Sequence, residues 1–454
     1  MVNYPSFQGY LKIILRIPDF YLTTPENPGL FLPRKRDMDK IVVEGGVPLK
    51  GNVTVSGSKN AVLPALAATL LTSGKNDINN IPNVRDVHTM IALLIELGAS
   101  ADSFYEGRLI LDTSQVNNSE APYELVSTMR ASCMVMGPLL ARLGRTKVSL
   151  PGGCAIGARP VDLHLKGFAA LGANIELKKG YICASAKKLK GARIYFDTVT
   201  VTGTMNVMMA AVLAEGKTIL ENAAREPEVV FLAEILNMAG ATIQGAGEHN
   251  IVINGTSSLR PIECAIFPDR IEAGTYMIAS AITKGELEVK CCIPKHLEIL
   301  SAKLKEAGAE VEEQENSVFV RGRHPIRPVD IKTQVYPGFA TDFQAQFTAL
   351  MTLAEGSSAV NETVFENRFM HAAELKRMGA DIAIQGHIAI VRGVENLSGA
   401  PVMATDLRAS ASLILAGLAA KGITRVSRVY HIDRGYEKME SKLSLIGARV
   451  KRIN

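Results

Sequence analysis

A single unit recurs six times along the chain, and this repetition constrains the fold more than any other feature of the sequence. In each copy an apolar, helix-like stretch closes on a Gly-Ala pair, and an alternating, strand-like segment follows. Glycine supplies the left-handed turn that ends a helix, and the residues after it begin a strand. The pairs recur about every 70 residues, which is typical of a repeat architecture. They are Gly98-Ala99, Gly172-Ala173, Gly240-Ala241, Gly308-Ala309, Gly379-Ala380 and Gly447-Ala448.

A second glycine keeps the same interval and marks a second helix in every unit. It closes alanine- or leucine-rich stretches that lead into strand-like runs such as residues 218–222. A unit of this kind cannot bury its apolar helix face alone, so the units must pack together. Six units favour an α/β protein with two domains of three units, while periodicity leaves open whether three units close around a shared axis. The second glycines are Gly74, Gly144, Gly216, Gly285, Gly356 and Gly422.

The composition indicates a large globular protein without a bias toward nucleic acid or membranes. The 454 residues are 47% hydrophobic and 21% charged, which is enough to bury large cores. The net charge is only +5, and the basic cluster at residues 34–36 is too small to indicate nucleic acid binding. We expect no membrane segment, because no apolar run approaches the roughly 18 residues that a membrane helix needs. Six cysteines without a CxxC pair indicate neither a disulfide framework nor a zinc site, which favours a reducing cytoplasm.

Residues 1–37 differ from the rest of the chain. They contain a Pro-Glu-Asn-Pro-Gly run and a basic end, and the regular pattern begins only near Met38. We therefore expect an N-terminal extension outside the catalytic fold.

A cysteine on a glycine-rich turn is the strongest single candidate for chemistry. Residues 151–164 read PGGCAIGARPVDLH, so Cys154 lies among glycines, five residues before Arg159. A structural cysteine normally lies among branched apolar residues, whereas this backbone is expected to be mobile and near the surface. Thiol reactivity depends on exposure and nearby positive charge, so we interpret Cys154 as functional; a small residue tolerated in a surface loop is the alternative.

Basic residues recur where predicted strands meet helices or turns. Lys59 and Asn60 follow a strand-like run and a Ser-Gly-Ser turn, a place where backbone amides and a lysine suit an anion. An ordinary helix N-cap is the alternative. Arginine's planar fork matches phosphate and carboxylate groups, so five arginines in turn-like, otherwise apolar contexts indicate a pocket for such groups. They are Arg130, Arg159, Arg368, Arg408 and Arg434.

Nine segments follow one another along the chain, namely SGSKNAVLPAL, TMRAS, PGGCAIGARPVDLH, ENAAREPE, FPDRIEAGT, TDFQAQF, FENRFMH, MATDLRASASL and YHIDRGYE. Together these segments resemble the UDP-N-acetylglucosamine enolpyruvyl transferases, the first committed enzymes of peptidoglycan synthesis. The resemblance implies a two-domain inside-out α/β barrel of six βαβαββ repeats, three per domain. Residues 60–267 would form the domain with the Cys154 loop. Residues 38–59 and 268–454 would form a second, discontinuous domain, with the active site in the cleft between the two.

The resemblance also implies the reaction. The enolpyruvyl group of phosphoenolpyruvate would pass to the 3′-hydroxyl of UDP-N-acetylglucosamine by addition and elimination, with release of phosphate. Cys154 is then the proton donor and Asp342 takes the hydroxyl proton, while Lys59 and Arg434 complete the catalytic set. Arginines stabilise a thiolate whereas an acid keeps its proton, so we expect bound anions to raise the pKa of Cys154. The antibiotic fosfomycin, a thiol-directed epoxide, is expected to alkylate Cys154.

The remaining site residues follow from the same resemblance. Phosphoenolpyruvate is assigned Lys59, Asn60, Arg159, Arg368, Asp406, Arg408 and Arg434. UDP-N-acetylglucosamine is assigned Asn60, Arg130, Arg159, Pro160, Val161, Asp162, Leu163, Thr198, Val199, Thr200, Val201, Asp342 and Val364. We expect no metal or cofactor, because arginines and a lysine neutralise the phosphate, and we interpret His164 and His431 as structural. The expected partners are these two small molecules, with no obligate protein partner.

Two other functions remain open. The sister transferase that acts on shikimate 3-phosphate shares the repeat fold and a Gly-Ser-Lys-type anion site, but has no obvious use for the Cys154 loop. A catalytically silent sugar-nucleotide sensor would keep the pocket without needing both an acid and a base. Phosphate release measured with each acceptor distinguishes the three.

Overall fold

The computed structural model describes residues 39–150 and 161–453, and these residues build two hydrophobic cores. The first core comprises buried side chains between residues 61 and 266. The second combines residues 41–55 with residues 271–448. The N-terminal extension predicted for residues 1–37 and the predicted site residues Cys154, Arg159 and Pro160 lie outside the described residues.

Within these two stretches, six four-stranded sheets share one topology. An outer strand pairs in parallel with its neighbour, and the other two strands continue antiparallel. The sheets beside the first core are, in order, Glu263–Ala265, Lys75–Asn79, Arg108–Asp112, Ser100–Tyr105; Glu120–Ala121, Arg145–Ser149, Tyr181–Ser185, Asn174–Lys178; and Arg193–Tyr195, Lys217–Glu221, Asn250–Asn254, Thr242–Gln244. Those beside the second core are Glu310–Glu313, Ser317–Arg321, Glu286–Lys290, Lys50–Thr54; Ile331–Lys332, Ser357–Asn361, Ile388–Arg392, Asp381–Gln385; and Pro401–Met403, Ile423–Ser427, Lys40–Glu44, Arg449–Ile453. The predicted βαβαββ fold is confirmed.

One helix of each unit lies inside a core. Every residue of Arg270–Ile282 and of Gln344–Met351 is buried, and their few polar side chains are buried with the apolar ones. The three inner helices of the second core contact one another, so its three units do share an axis. The inner helices are Lys59–Ala68, Met136–Leu143, Val201–Ala211, Arg270–Ile282, Gln344–Met351 and Leu407–Ala419.

The second helix of each unit lies at the surface, with one face buried. Arg85–Glu96, for example, buries Val87, Met90, Ile91 and Leu94 and leaves its polar face in solvent. The outer helices are Arg85–Glu96, Asp162–Ala170, Pro227–Met238, Glu298–Glu306, Met370–Arg377 and Met439–Leu445. Short helical segments are Tyr123–Val126 and the 3₁₀ turns Thr69–Leu71, Arg130–Val135, Pro294–His296, Thr341–Phe343 and Val429–Arg434. None of the described helices combines the length and apolar character that crossing a membrane requires.

The repeat glycines end helices in two different ways. All six glycines of the Gly-Ala pairs are left-handed, with φ between 92° at Gly447 and 111° at Gly240. Five of the second set are left-handed as well. The prediction is wrong at Gly285, because the left-handed residue there is Lys284, with φ 55°. A glycine is instead required at position 285 because the Leu49 backbone lies too close for a side chain. A Cβ there would lie 2.4 Å from the Leu49 carbonyl oxygen.

Two sheets exchange their outer strands between the cores. The strand Lys50–Thr54 precedes the inner helix of the first core but pairs with Glu286–Lys290 beside the second. The strand Glu263–Ala265 precedes an inner helix of the second core but pairs with Lys75–Asn79 beside the first. The two segments that pass between the cores are hydrogen-bonded to each other, since the Ser58 amide donates to the Phe267 carbonyl at 2.7 Å.

Candidate active site

The inner helices of the two cores begin close together. Asp269 caps the helix Arg270–Ile282 through Oδ1, and its Oδ2 accepts the Lys59 amide at 3.1 Å. Asp406 likewise caps Leu407–Ala419 and accepts the amides of Arg408 and Ala409. Because these carboxylates satisfy the terminal amides, the charge available for an anion comes from side chains.

A buried carboxylate joins two of the predicted cations. The Lys59 ammonium, at the first residue of its helix, lies 3.0 Å from Asp86 Oδ2. Arg434 Nε lies 2.9 Å from Asp86 Oδ1, although the two residues are 348 positions apart. The Asp86 side chain is only 4% exposed. The structure therefore brings Lys59 and Arg434 together through a residue that the sequence analysis missed.

The charges in this group shift one another's pKa values. Burial lowers the pKa of Lys59, and the Arg434 and Arg408 charges add to this while Asp86 opposes it. Burial acts to raise the pKa of Asp86, but the Lys59 and Arg434 charges outweigh it and lower that pKa. Asp86 thus stays ionised and keeps both cations in place.

Asp342 lies between two predicted arginines. It belongs to the 3₁₀ turn Thr341–Phe343, and its Oδ1 and Oδ2 accept from Arg368 Nη2 at 2.7 Å and Arg408 Nη2 at 2.8 Å. Burial alone would raise the pKa of Asp342, but the two guanidinium groups hold it well below its usual range. The side chain of Asp342 remains 25% exposed, so a substrate can reach it.

The ion pairs around Asp86 and those around Asp342 lie close to each other. Arg408 Nη1 lies 3.2 Å from the hydroxyl of Tyr436, which is two residues after Arg434. Gly435, which follows Arg434, approaches so closely that a Cβ on it would lie 3.2 Å from Lys59 Cδ. Lys59, Asp342, Arg408 and Arg434, which were predicted from separate motifs, therefore lie close together.

Several of the described residues predicted for the nucleotide sugar lie beside the first core. Burial and the nearby Arg130 charge lower the pKa of His164 to about 4, so its ring is neutral. His164 Nδ1 lies 2.9 Å from Asn206 Nδ2 and its Nε2 lies 3.3 Å from Thr202 Oγ1, a structural arrangement. Thr200 caps the helix Val201–Ala211 through the Gly203 amide. These contacts place the segment after residue 160 beside the segment that begins at residue 198.

The remaining predicted residues differ in accessibility. Asp162 and Thr198 are exposed, and Val161 is buried. Leu163, Val199, Val201 and Asn60 are half-buried. Val364 is 40% exposed and lies on the side of the second core, where its amide donates to Glu362. Among the described residues, no group of three or more His, Cys, Asp or Glu side chains is arranged to hold a metal ion.

Comparison with known proteins identifies the family of this chain. A family model described as EPSP synthase (3-phosphoshikimate 1-carboxyvinyltransferase) matches residues 43–443. The chain is 58% identical over 417 residues to a UDP-N-acetylglucosamine 1-carboxyvinyltransferase from Geobacter metallireducens, covering 92% of this chain and all of the relative. It is 57% identical, with the same coverage, to one from Desulfatibacillum aliphaticivorans.

Solved structures show the same architecture. The enolpyruvyl transferase NikO from Streptomyces tendae superposes with a TM-score of 0.82 at 25% identity, over 91% of this chain and 99% of that one. An EPSP synthase from Acinetobacter baumannii gives 0.72 at 17% identity, over 92% and 100%, and shows the fold alone. With relatives this similar along their whole length, the chain belongs to the UDP-N-acetylglucosamine 1-carboxyvinyltransferase family of enolpyruvyl transferases.

Proposed function

We propose that this protein transfers the enolpyruvyl group of phosphoenolpyruvate to the 3′-hydroxyl of UDP-N-acetylglucosamine and releases phosphate, the first committed step of peptidoglycan synthesis. The observation that carries the proposal is 58% identity along the full length of a relative with that named activity. The site supports it with cations for an anionic donor and a carboxylate for an acceptor hydroxyl.

Lys59 and Arg434 would bind the phosphate of phosphoenolpyruvate, with Arg368 and Arg408 beside them. Guanidinium and ammonium groups form charge-assisted hydrogen bonds with phosphate and carboxylate oxygens. Asp86 already fixes Lys59 and Arg434, so these two donors are positioned before the substrate arrives. Such preorganised charge stabilises the transition state without reorganisation during the reaction.

Asp342 would take the proton of the attacking hydroxyl. Its low pKa makes it a weak base, so its help is greatest once the attacking oxygen has become acidic in the transition state. Cys154 would give a proton to carbon 3 as the sugar oxygen bonds to carbon 2. Loss of phosphate from carbon 2 and of a proton from carbon 3 then restores the double bond.

We also place the domain boundaries where the cores exchange strands, after residues 59 and 267. The substrate cleft would lie between residues 60–267 and the discontinuous domain of residues 38–59 and 268–454. The Lys59 and Asp269 contact at this crossing supports the assignment, because it joins the two units beside the cations. We propose a cytoplasmic location for the enzyme.

Acceptor-dependent phosphate release tests the function. Purified protein is incubated with phosphoenolpyruvate and either UDP-N-acetylglucosamine, shikimate 3-phosphate or no acceptor. Release that requires UDP-N-acetylglucosamine supports the proposal. Release with shikimate 3-phosphate supports the sister reaction, and no release with either acceptor supports a sensor. Asp342→Asn serves as the matched control for turnover at this site.

A further inference from the structure

We propose that Glu362 is a positioning residue for this reaction, because its buried carboxylate orients Arg368 against Asp342 through the hydroxyl of Thr341. The inference rests on the proposed function, since it gives Asp342 and Arg368 their roles. Glu362 follows the strand Ser357–Asn361 and is absent from the residues that the family resemblance assigns to either substrate.

The carboxylate of Glu362 is completely buried and is satisfied by neutral donors. Its Oε2 accepts from Thr341 Oγ1 at 2.7 Å. Its Oε1 accepts from Thr333 Oγ1 at 2.8 Å and from the amides of Val364 and Phe365 at 2.8 and 3.2 Å. No ion pair among the described residues includes Glu362. A buried charge held this way is costly unless its hydrogen bonds are maintained, so the surrounding geometry is strongly specified.

The direction of the hydrogen bonds at Thr341 follows from its single proton. Arg368 Nη1, which can only donate, lies 2.9 Å from Thr341 Oγ1. The hydroxyl must therefore accept from Arg368 and give its own proton to Glu362. Arg368 Nη2 holds Asp342 at the same time, and the guanidinium is a rigid fork. A shift at Glu362 is consequently transmitted to Asp342.

The other oxygen of Glu362 serves a different segment. Through the amides of Val364 and Phe365 it shapes the turn that carries Val364, a predicted contact of the nucleotide sugar. Thr333 supports this same oxygen, and its Oγ1 also accepts the Thr363 amide at 2.8 Å. The contact of Oε2 with Thr341 therefore predicts an effect on kcat, and the contacts of Oε1 with the Val364 turn predict an effect on the KM for UDP-N-acetylglucosamine. A purely structural residue would change both constants together.

Thr341→Val and Thr333→Val test the contacts of the two Glu362 oxygens separately, with nearly isosteric changes. Each loses one hydroxyl that donates to Glu362, but only Thr341 contacts Arg368. We expect Thr341→Val to lower kcat by about 30-fold, because small misplacements of catalytic groups can cost up to about 100-fold. Thr341→Ser, which keeps the hydroxyl, should stay within about threefold of the wild type. Thr333→Val should keep kcat within about threefold and raise the KM for UDP-N-acetylglucosamine.

The comparison uses kcat, both KM values and the melting temperature of each full-length variant. Wild-type kcat in Thr341→Val, or equal losses in both valine variants that follow their melting temperatures, would overturn the inference. Should Thr341→Val fail to fold, Glu362→Gln replaces it. The three donors at Oε1 hold the amide oxygen on their side, so the amide nitrogen faces Thr341 and cannot accept its proton. Unchanged kcat in Glu362→Gln also overturns the inference. A wild-type enzyme inactive with UDP-N-acetylglucosamine refutes the proposed function instead, and the variant ratios are then measured with the acceptor that does support turnover.

Discussion

Arg270 and Glu228 form a bidentate ion pair between the two cores, with Arg270 Nε 3.0 Å from Glu228 Oε1 and Arg270 Nη2 3.3 Å from Glu228 Oε2. Arg270 begins an inner helix of the second core, and Glu228 belongs to the helix Pro227–Met238 of the first. Their side chains are only 9% and 3% exposed. This contact therefore fixes the relative position of the cores beside the strand crossing.

Removing one charge of this pair is expected to destabilise the protein. Glu228→Gln removes the carboxylate that pairs with the buried Arg270 guanidinium and leaves only the more distant Glu226 and Asp342 charges, so the free energy of unfolding should fall by about 3 kcal/mol. Urea denaturation measures the loss. Glu221→Gln removes a carboxylate from the exposed Arg193 pair and should have no measurable effect. Equal stability of the two variants would show that the interdomain pair does not hold the cores together.

Asp86→Asn is expected to leave Lys59 and Arg434 without their shared counter-charge. Its free energy of unfolding should fall by about 2 kcal/mol, less than for a fully buried pair because Arg434 is 31% exposed. Added inorganic phosphate should raise the melting temperature of the variant more than that of the wild type, since the anion binds only the folded state. Asp77→Asn, at an exposed ion pair with Arg108, is the control. A phosphate response equal to that of the wild type would contradict this account of Asp86.

Asp342 is expected to contribute to stability only above the acidic range. Its folded-state pKa is depressed, so its contribution is fully present above the unfolded value of about 3.9 and is lost as pH falls through the folded value. The difference in unfolding free energy between wild type and Asp342→Asn should be constant from about pH 5 to 8 and shrink below about pH 4. The kcat of the variant should fall by about 10²–10⁴ across the same range. A stability difference that changes near neutral pH would show that another group controls it.

Alkylation is expected to distinguish Cys154 from the other cysteines. Burial raises the pKa of Cys133 and Cys292 to about 11 and that of Cys264 to about 12, which keeps these thiols protonated and unreactive. Fosfomycin with UDP-N-acetylglucosamine should add a single adduct by intact mass, because Cys154 alone among the cysteines is assigned to the substrate site. Cys154→Asp should abolish the adduct, whereas replacing the exposed Cys291 by serine should leave it unchanged. An adduct that persists in Cys154→Asp would assign the reactive thiol elsewhere.

The repeat architecture could be predicted because each unit has the same local signal. Gly98 and Gly172 are typical, since a left-handed glycine ends a helix and a strand begins two residues later. The borrowed strand Glu263–Ala265 carries no such signal, because only the partner sheet decides where it pairs. Gly285 looks like its counterparts in sequence, yet it is required because the Leu49 backbone leaves no room for a side chain.

The cations of the site could be recognised from their motifs, but their carboxylate partners could not. Asp86 lies in the first turn of a helix, where acidic residues are common for reasons of the helix dipole. Glu362 follows an ordinary strand, and its importance depends on Thr341, 21 residues earlier. Such residues are identified only by burial and by partners that tertiary structure brings together.

The pairing of Lys40–Glu44 between Ile423–Ser427 and Arg449–Ile453 has a consequence for biosynthesis. As the polypeptide emerges from the ribosome, the first core has all its strands once residue 265 is free. The strand Lys40–Glu44 must still wait until residues 449–453 have been translated. Since domains generally fold as units during synthesis, the first core is expected to fold first, and the second core is completed only once residues 449–453 are available for pairing.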